Sequence, residues 1–272
     1  MRVFCTLDSI CINKYRCFPP ELISHAYDYI SFDEAMARVG DNVHSDDIVA
    51  TSPGCDKYFM TCLTKEIFLR LLLVSGDDSK MSTDHVCVFL EAMCEEKNKN
   101  DVGVKYRWVH STLVEAGLID LPRLEITLAD WGLDLNMETD SFQLMMPVFI
   151  FASAHWYPIF CSAKFENDTW VSELICSDSL GNPKGHSLEM LLVKAWLEKT
   201  SKRDWTLRYE TRSEPQRDVT ACGFYMLRNF MGWLDPELWG SALTLQTNGS
   251  DFGLKQFKNF MMRVIASHGR QH

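Results

Sequence analysis

Clustered positive charge is the first thing missing from this sequence. No run of Lys and Arg is denser than Lys97-Asn-Lys99 or Lys202-Arg203, and the net charge is -10. Phosphate contacts need such clusters, so no nucleic-acid partner is expected. Long apolar runs are missing too. The longest, Leu144 to Trp156, falls well short of the ~20 residues a membrane span needs, so no membrane partner is expected either. Asp8 interrupts the first apolar stretch, which therefore does not read as a secretion signal. An intracellular protein of the nucleus or cytoplasm is the expectation.

The chain also has no C-x-x-C pair and no glycine-rich phosphate loop, so neither a metal nor a cofactor is assigned. Ten cysteines are present. They are scattered through apolar segments, Cys5, Cys11, Cys17, Cys55 and Cys62 leading the chain, and reduced thiols suit that pattern better than a disulfide framework. With 272 residues and 46% hydrophobic content, there is enough material for a sizeable core. The expected organisation is an extension of unassigned role over 1–60, followed by a catalytic domain over 61–272.

Hydrophobic periodicity supplies the elements. Helices are expected from Thr64, from Ser82 to Cys94 and from Ser187 to Lys199, the last with Leu188, Leu191, Leu192, Ala195 and Trp196 on its buried side. Three short runs rich in Val, Ile, Phe and Trp, between Phe142 and Ser177, read as strands of one sheet. A further strand is expected from Trp205 to Thr211, and a final helix from Gly253 to Ser267. Helices before and after a group of strands give an α+β domain.

Chemistry concentrates around Cys222. The stretch TACGFYMLRNFMGWLDP reads as a core helix that starts beside this cysteine, with Thr220 or Asp218 as its N-cap and Pro236 as its stop. A helix mouth favours a thiolate, which is the nucleophilic form. A cysteine hydrolase also needs an imidazole, a group to orient that imidazole, and donors for the oxyanion. His155 at the start of one strand, Asp178 after another and Gln216, six residues before Cys222, supply one of each. Asp168, in a turn-like Glu-Asn-Asp run, is a rival to Asp178.

These residues in this order, His155-Trp156, then Asp178-Ser-Leu, then Gln216-x-Asp218-x-x-x-Cys222-Gly223, resemble the ubiquitin-like-protein-specific cysteine proteases. That family contains the SUMO and NEDD8 deconjugating enzymes and shares a clan with the adenovirus protease. The resemblance implies a papain-like or adenovirus-protease-like α+β domain, with a central mixed sheet flanked by helices. It implies Cys222 as nucleophile, His155 as base, Asp178 as orienting carboxylate and Gln216 as oxyanion donor. Trp156 would roof a narrow channel for a Gly-Gly tail beside Gly223, and Asp84 would face basic side chains of the modifier. Met81 stands where the family commonly has a second Trp, and Ala221 where it commonly has Asp. The 23-residue interval from His155 to Asp178 implies a wide hairpin around Glu166-Asn-Asp168.

A monomeric cysteine isopeptidase acting on a ubiquitin-like modifier is therefore the leading expectation. SUMO is placed first, with NEDD8 and ubiquitin as the other partners. The alternatives are a viral or transposon-type processing protease, an acetyltransferase of the same clan, and a catalytically silent module that binds a ubiquitin-like protein.

Overall fold

The structure is a computed structural model that describes residues 31–39, 48–52, 61–72, 80–110, 136–210, 220–236 and 252–268. In chain order these form α1 (Phe32–Val39), β1 (Ile48–Ser52), β2 (Thr61–Thr64), α2 (Lys65–Leu69), α3 (Thr83–Asn100), β3 (Lys105–Trp108), β4 (Phe142–Ile150), β5 (His155–Glu166), β6 (Thr169–Ser177), α4 (Ser187–Ser201), β7 (Thr206–Glu210), α5 (Cys222–Leu234) and α6 (Phe252–His268).

The central sheet has the order β3-β4-β5-β6-β7. Its inner strands β4, β5 and β6 are antiparallel, while β3 on β4 and β7 on β6 are parallel, so the sheet is mixed. Both faces are covered, which is why β4 reads as a nearly continuous apolar run rather than an alternating one. Phe142, Leu144, Met146 and Val148 of β4 enter one core with Met190, Val193, Trp196 and Leu197 of α4. Met145, Phe160 and Ile175 enter the other, with residues of α3, α5 and α6. Helix α5 lies directly on β5.

Four expectations are corrected. The boundary at residue 60 falls inside a two-stranded sheet, because β1 pairs antiparallel with β2. Ala35 of α1 and Ala50 of β1 are buried in the same core as α3, α5 and α6, so these parts of the expected extension belong to the packed body. Strand β3 was not expected; its four residues, KYRW, are too few and too charged to register as a pattern. Helix α4 turns a different face inward: Met190, Val193 and Leu197 are fully buried, whereas Leu188 and Leu191 are 64% and 53% exposed. The helix is apolar on more than one side, so periodicity alone cannot choose the face that meets the sheet. Last, the hairpin between β5 and β6 is tight, with Asn167 and Asp168 at positive φ, 50° and 61°, as a two-residue turn requires. The long interval from His155 to Asp178 is taken up by strand, not loop.

Helix α3 begins with a reciprocal cap. Ser82 Oγ accepts from His85 N–H, and His85 Nδ1 accepts from Ser82 N–H at 3.2 Å. The other ring nitrogen of His85 donates to Ile67 O at 2.7 Å, tying α3 to α2. Burial opposes a charge on this imidazole and pushes its pKa down to about 4, so it works as a neutral ring.

Candidate active site

Strands β5 and β6 run antiparallel with Ile159 opposite Cys176. The start of β5 and the end of β6 therefore meet at one end of the sheet. His155 is the first residue of β5, and Asp178 follows Ser177, the last of β6. Asp178 also makes the turn that leaves the sheet: its backbone carbonyl accepts from Gly181 N–H at 3.0 Å, and Oδ1 accepts from Leu180 N–H at 2.9 Å. Gly181 has φ 84°, a conformation that favours glycine. The residue type that makes Asp a good turn former thus also delivers a carboxylate to the sheet end.

His155 Nε2–H donates to Asp178 Oδ1 at 2.8 Å, with both side chains almost completely buried. Burial pulls the His155 pKa down, but the bond to Asp178 and the interaction with Cys222 outweigh it and lift the pKa to about 9. Burial pulls Asp178 upward, yet hydrogen bonds from His155, His186 and Leu180 N–H hold it well below the usual carboxylate range. The site therefore favours an imidazolium–carboxylate pair at neutral pH. With Nε2 committed to Asp178, Nδ1 is the ring nitrogen left for the thiol.

Cys222 is the first residue of α5 and is 5% exposed. Its Sγ lies 4.0 Å from Ala154 O, the carbonyl just before His155. Ala221, not Thr220, occupies the N-cap position, and Asp218, the other expected cap, lies outside the described residues. The N-terminal end of the helix dipole is directed at the cysteine. Two contacts fix the helix in place. Asn229 Nδ2 donates to Ser177 Oγ at 3.1 Å, next to Asp178. Gly223 lies so close to Met81 that an added Cβ would come within 2.8 Å of the Met81 Cβ, so glycine here is a requirement of close approach.

The structure thus brings Cys222, His155 and Asp178 together. Trp156, 4% exposed, packs on Phe149 with ring centroids 4.8 Å apart. Met81 is buried against Gly223, and Asp84 stands half-buried in the first turn of α3, where burial raises its pKa. Gln216 lies outside the described residues. Asp168 cannot serve His155: it follows the far end of β5, twelve residues long, about 35–40 Å away at the usual rise per residue. Three residues were not anticipated from the sequence, namely His186, Asn229 and Ser177. None stands at a spacing that signals a role, and only the folded contacts reveal them.

A mixed five-stranded sheet flanked by helices is an α+β fold, and a cysteine at a helix mouth stands beside a His–Asp pair at one end of it. Among solved structures, the chain carries the fold of the Ulp1 protease domain. It matches that domain, solved in complex with Smt3, the yeast ortholog of SUMO, at 14% identity and TM-score 0.58, over 87% of this chain and 94% of that one. The SUMO protease Ulp1 with its catalytic cysteine oxidised to a sulfenic acid matches at 13% identity and TM-score 0.56, over 86% and 93%. The sulfinic acid form matches at 13% identity and TM-score 0.53 over the same shares. No protein-family model matches the chain, and comparison with curated proteins finds no match.

Proposed function

We propose that this protein is a ubiquitin-like-protein-specific cysteine peptidase that cleaves after the C-terminal Gly-Gly of a modifier, with SUMO as the first candidate. One observation carries the reading. A His155–Asp178 pair at 2.8 Å interacts with the thiol of Cys222 at the mouth of α5, on a fold shared with the Ulp1 protease domain.

The chemistry is acyl transfer. The Cys222 thiolate attacks the carbonyl carbon of the terminal glycine, and the carbonyl electrons move onto oxygen. Backbone N–H groups at the start of α5, with Gln216, would hold that oxyanion. As the C–N bond breaks, the His155 imidazolium gives its proton to the departing amine, leaving a thioester on Cys222. His155 then takes a proton from water, whose oxygen attacks the thioester carbonyl. The tetrahedral adduct collapses to the thiolate and the glycine carboxylic acid, which gives its remaining proton to solvent, with Asp178 holding the ring throughout. Trp156, Met81 and Gly223 would line a narrow channel to the nucleophile that admits glycines and rejects a Cβ. Asp84, at the start of α3, would meet a basic side chain of the modifier. The protein acts as a monomer in the nucleus or cytoplasm on this reading.

The test is cleavage of fusions in which SUMO, NEDD8 or ubiquitin is followed by a reporter after Gly-Gly. Wild type is expected to release the reporter from at least one fusion, and Cys222→Ala from none. Folded protein that cleaves none of them would overturn the proposal.

A further inference from the structure

Asp178 carries two histidines, not one. Its Oδ1 accepts from His155 Nε2–H at 2.8 Å and from Leu180 N–H at 2.9 Å. Its Oδ2 accepts from His186 Nε2–H at 3.2 Å. His186 is buried, with 8% of its surface exposed, and ends the 3₁₀ turn Pro183–His186. Its ring lies flat on Tyr157, centroids 3.7 Å apart and planes 8° from parallel. Tyr157 belongs to β5, two residues after His155. Extending the β5–β6 register places Asp178 opposite Tyr157.

Both imidazoles are therefore indexed to one strand. His155 is its first residue, and His186 is oriented by the face of its third. A buried carboxylate bonded through one oxygen only can still turn about its Cβ–Cγ bond, and its second oxygen would be left unsatisfied at appreciable cost. With a donor on each oxygen, a single orientation of the carboxylate satisfies all three bonds. We propose that His186 is a positioning residue: its Nε2–H holds Asp178 Oδ2, so that Oδ1 stays directed at His155 and the imidazole stays directed at Cys222. This rests on the catalytic reading of His155 and Asp178 given above.

Two substitutions separate the donor from the stack. His186→Phe keeps an aromatic face on Tyr157 and removes the donor; His186→Gln keeps an N–H at a similar reach and removes the face. His186→Phe is expected to lower kcat on a Gly-Gly fusion by about 10- to 100-fold, the weight of a hydrogen bond to a charged group, with KM little changed. His186→Gln is expected to recover to within about threefold of wild type. Equal activity of wild type and His186→Phe overturns the inference, as does a fall in KM-controlled binding alone. Should His186→Phe fail to fold, His186→Gln decides by itself, and a loss of about tenfold or more would count against the donor role.

A second readout does not depend on turnover. Titration of His155 by its ring NMR signals, with Asp178, Cys222 and, across Asp178, His186 as its titratable neighbours among the described residues, gives the strength of its tie to Asp178. Loss of positioning in His186→Phe loosens that tie, so the His155 pKa is expected to fall from about 9 towards its ordinary 6.5. An unchanged or higher value overturns the inference. If wild type cleaves no fusion, the functional proposal fails while this titration still decides the role of His186.

Discussion

The buried carboxylate of Asp178 accepts three hydrogen bonds, and the direction of each pKa follows from that. The carboxyl is held well below its ordinary 3.8, so the stability it contributes is present above that value and is lost as pH falls further. His155 is raised above its ordinary 6.5, so its contribution is full below 6.5 and is lost as pH rises through about 9. These are two views of one ion pair. The Tm difference between wild type and Asp178→Asn is therefore expected to be widest between about pH 4 and 6.5 and to shrink towards pH 9. A difference independent of pH would contradict the pairing. Asp178→Asn is also expected to cut kcat by roughly 10⁴-fold, since the amide cannot stabilise an imidazolium. At this scale much was legible in the sequence: the types and order of His155, Asp178 and Cys222 are what acyl transfer needs. His186 was not, because a histidine eight residues past an aspartate has no local signature. Its partner and its stacking surface come from two different strands.

Among the elements, α5 carries the proposed nucleophile, and its first turn packs closely on Met81. Gly223→Ala would drive a Cβ into Met81. Relieving that overlap must shift either the helix start or Met81, at a cost of about 1–3 kcal/mol. The expected outcome is a lower Tm together with a larger proportional loss of kcat, because the shift moves Cys222. A folded, fully active Gly223→Ala would show that the approach is not critical. Helix α4 illustrates the limit of periodicity. Leucines and other apolar residues occupy both its faces, and the sheet, not the pattern, selected Met190, Val193 and Leu197. Leu197→Ala is expected to cost about 2–5 kcal/mol in denaturant unfolding. Leu191→Ala, at a half-exposed position, is expected to stay within about 0.5 kcal/mol of wild type. The reverse ranking would mean that the other face is the buried one. Strands β4, β5 and β6 were legible because β-branched and aromatic runs of that length suit a sheet covered on both faces.

At the scale of the molecule, the sheet separates two cores, and the candidate site lies at the sheet end where α5 meets β5 and β6. The core on the α5 side recruits segments from both ends of the chain: Ala35 and Ala50 near the start, and Phe257, Met261 and Ile265 of α6 near the finish. Such long-range closure is invisible to local patterns, which is why 1–60 read as a separate extension. A protein beginning at residue 61 would lose β1 from its pairing with β2 and α1 from its packing on α6. It is expected to unfold at a lower temperature than the full chain, whereas an unchanged Tm would restore the extension as an independent part.

On the proposed function, Cys222, activated by His155 and Asp178, is the nucleophile towards the C-terminus of a ubiquitin-like modifier. The most direct test is reaction of the purified protein with SUMO, NEDD8 and ubiquitin, each carrying an electrophile in place of the terminal carboxylate, followed by mass mapping of the adduct. A covalent adduct on Cys222 with at least one probe, absent in Cys222→Ala and strongly slowed in His155→Ala, is predicted. An adduct on another cysteine, or none from folded protein, would contradict it.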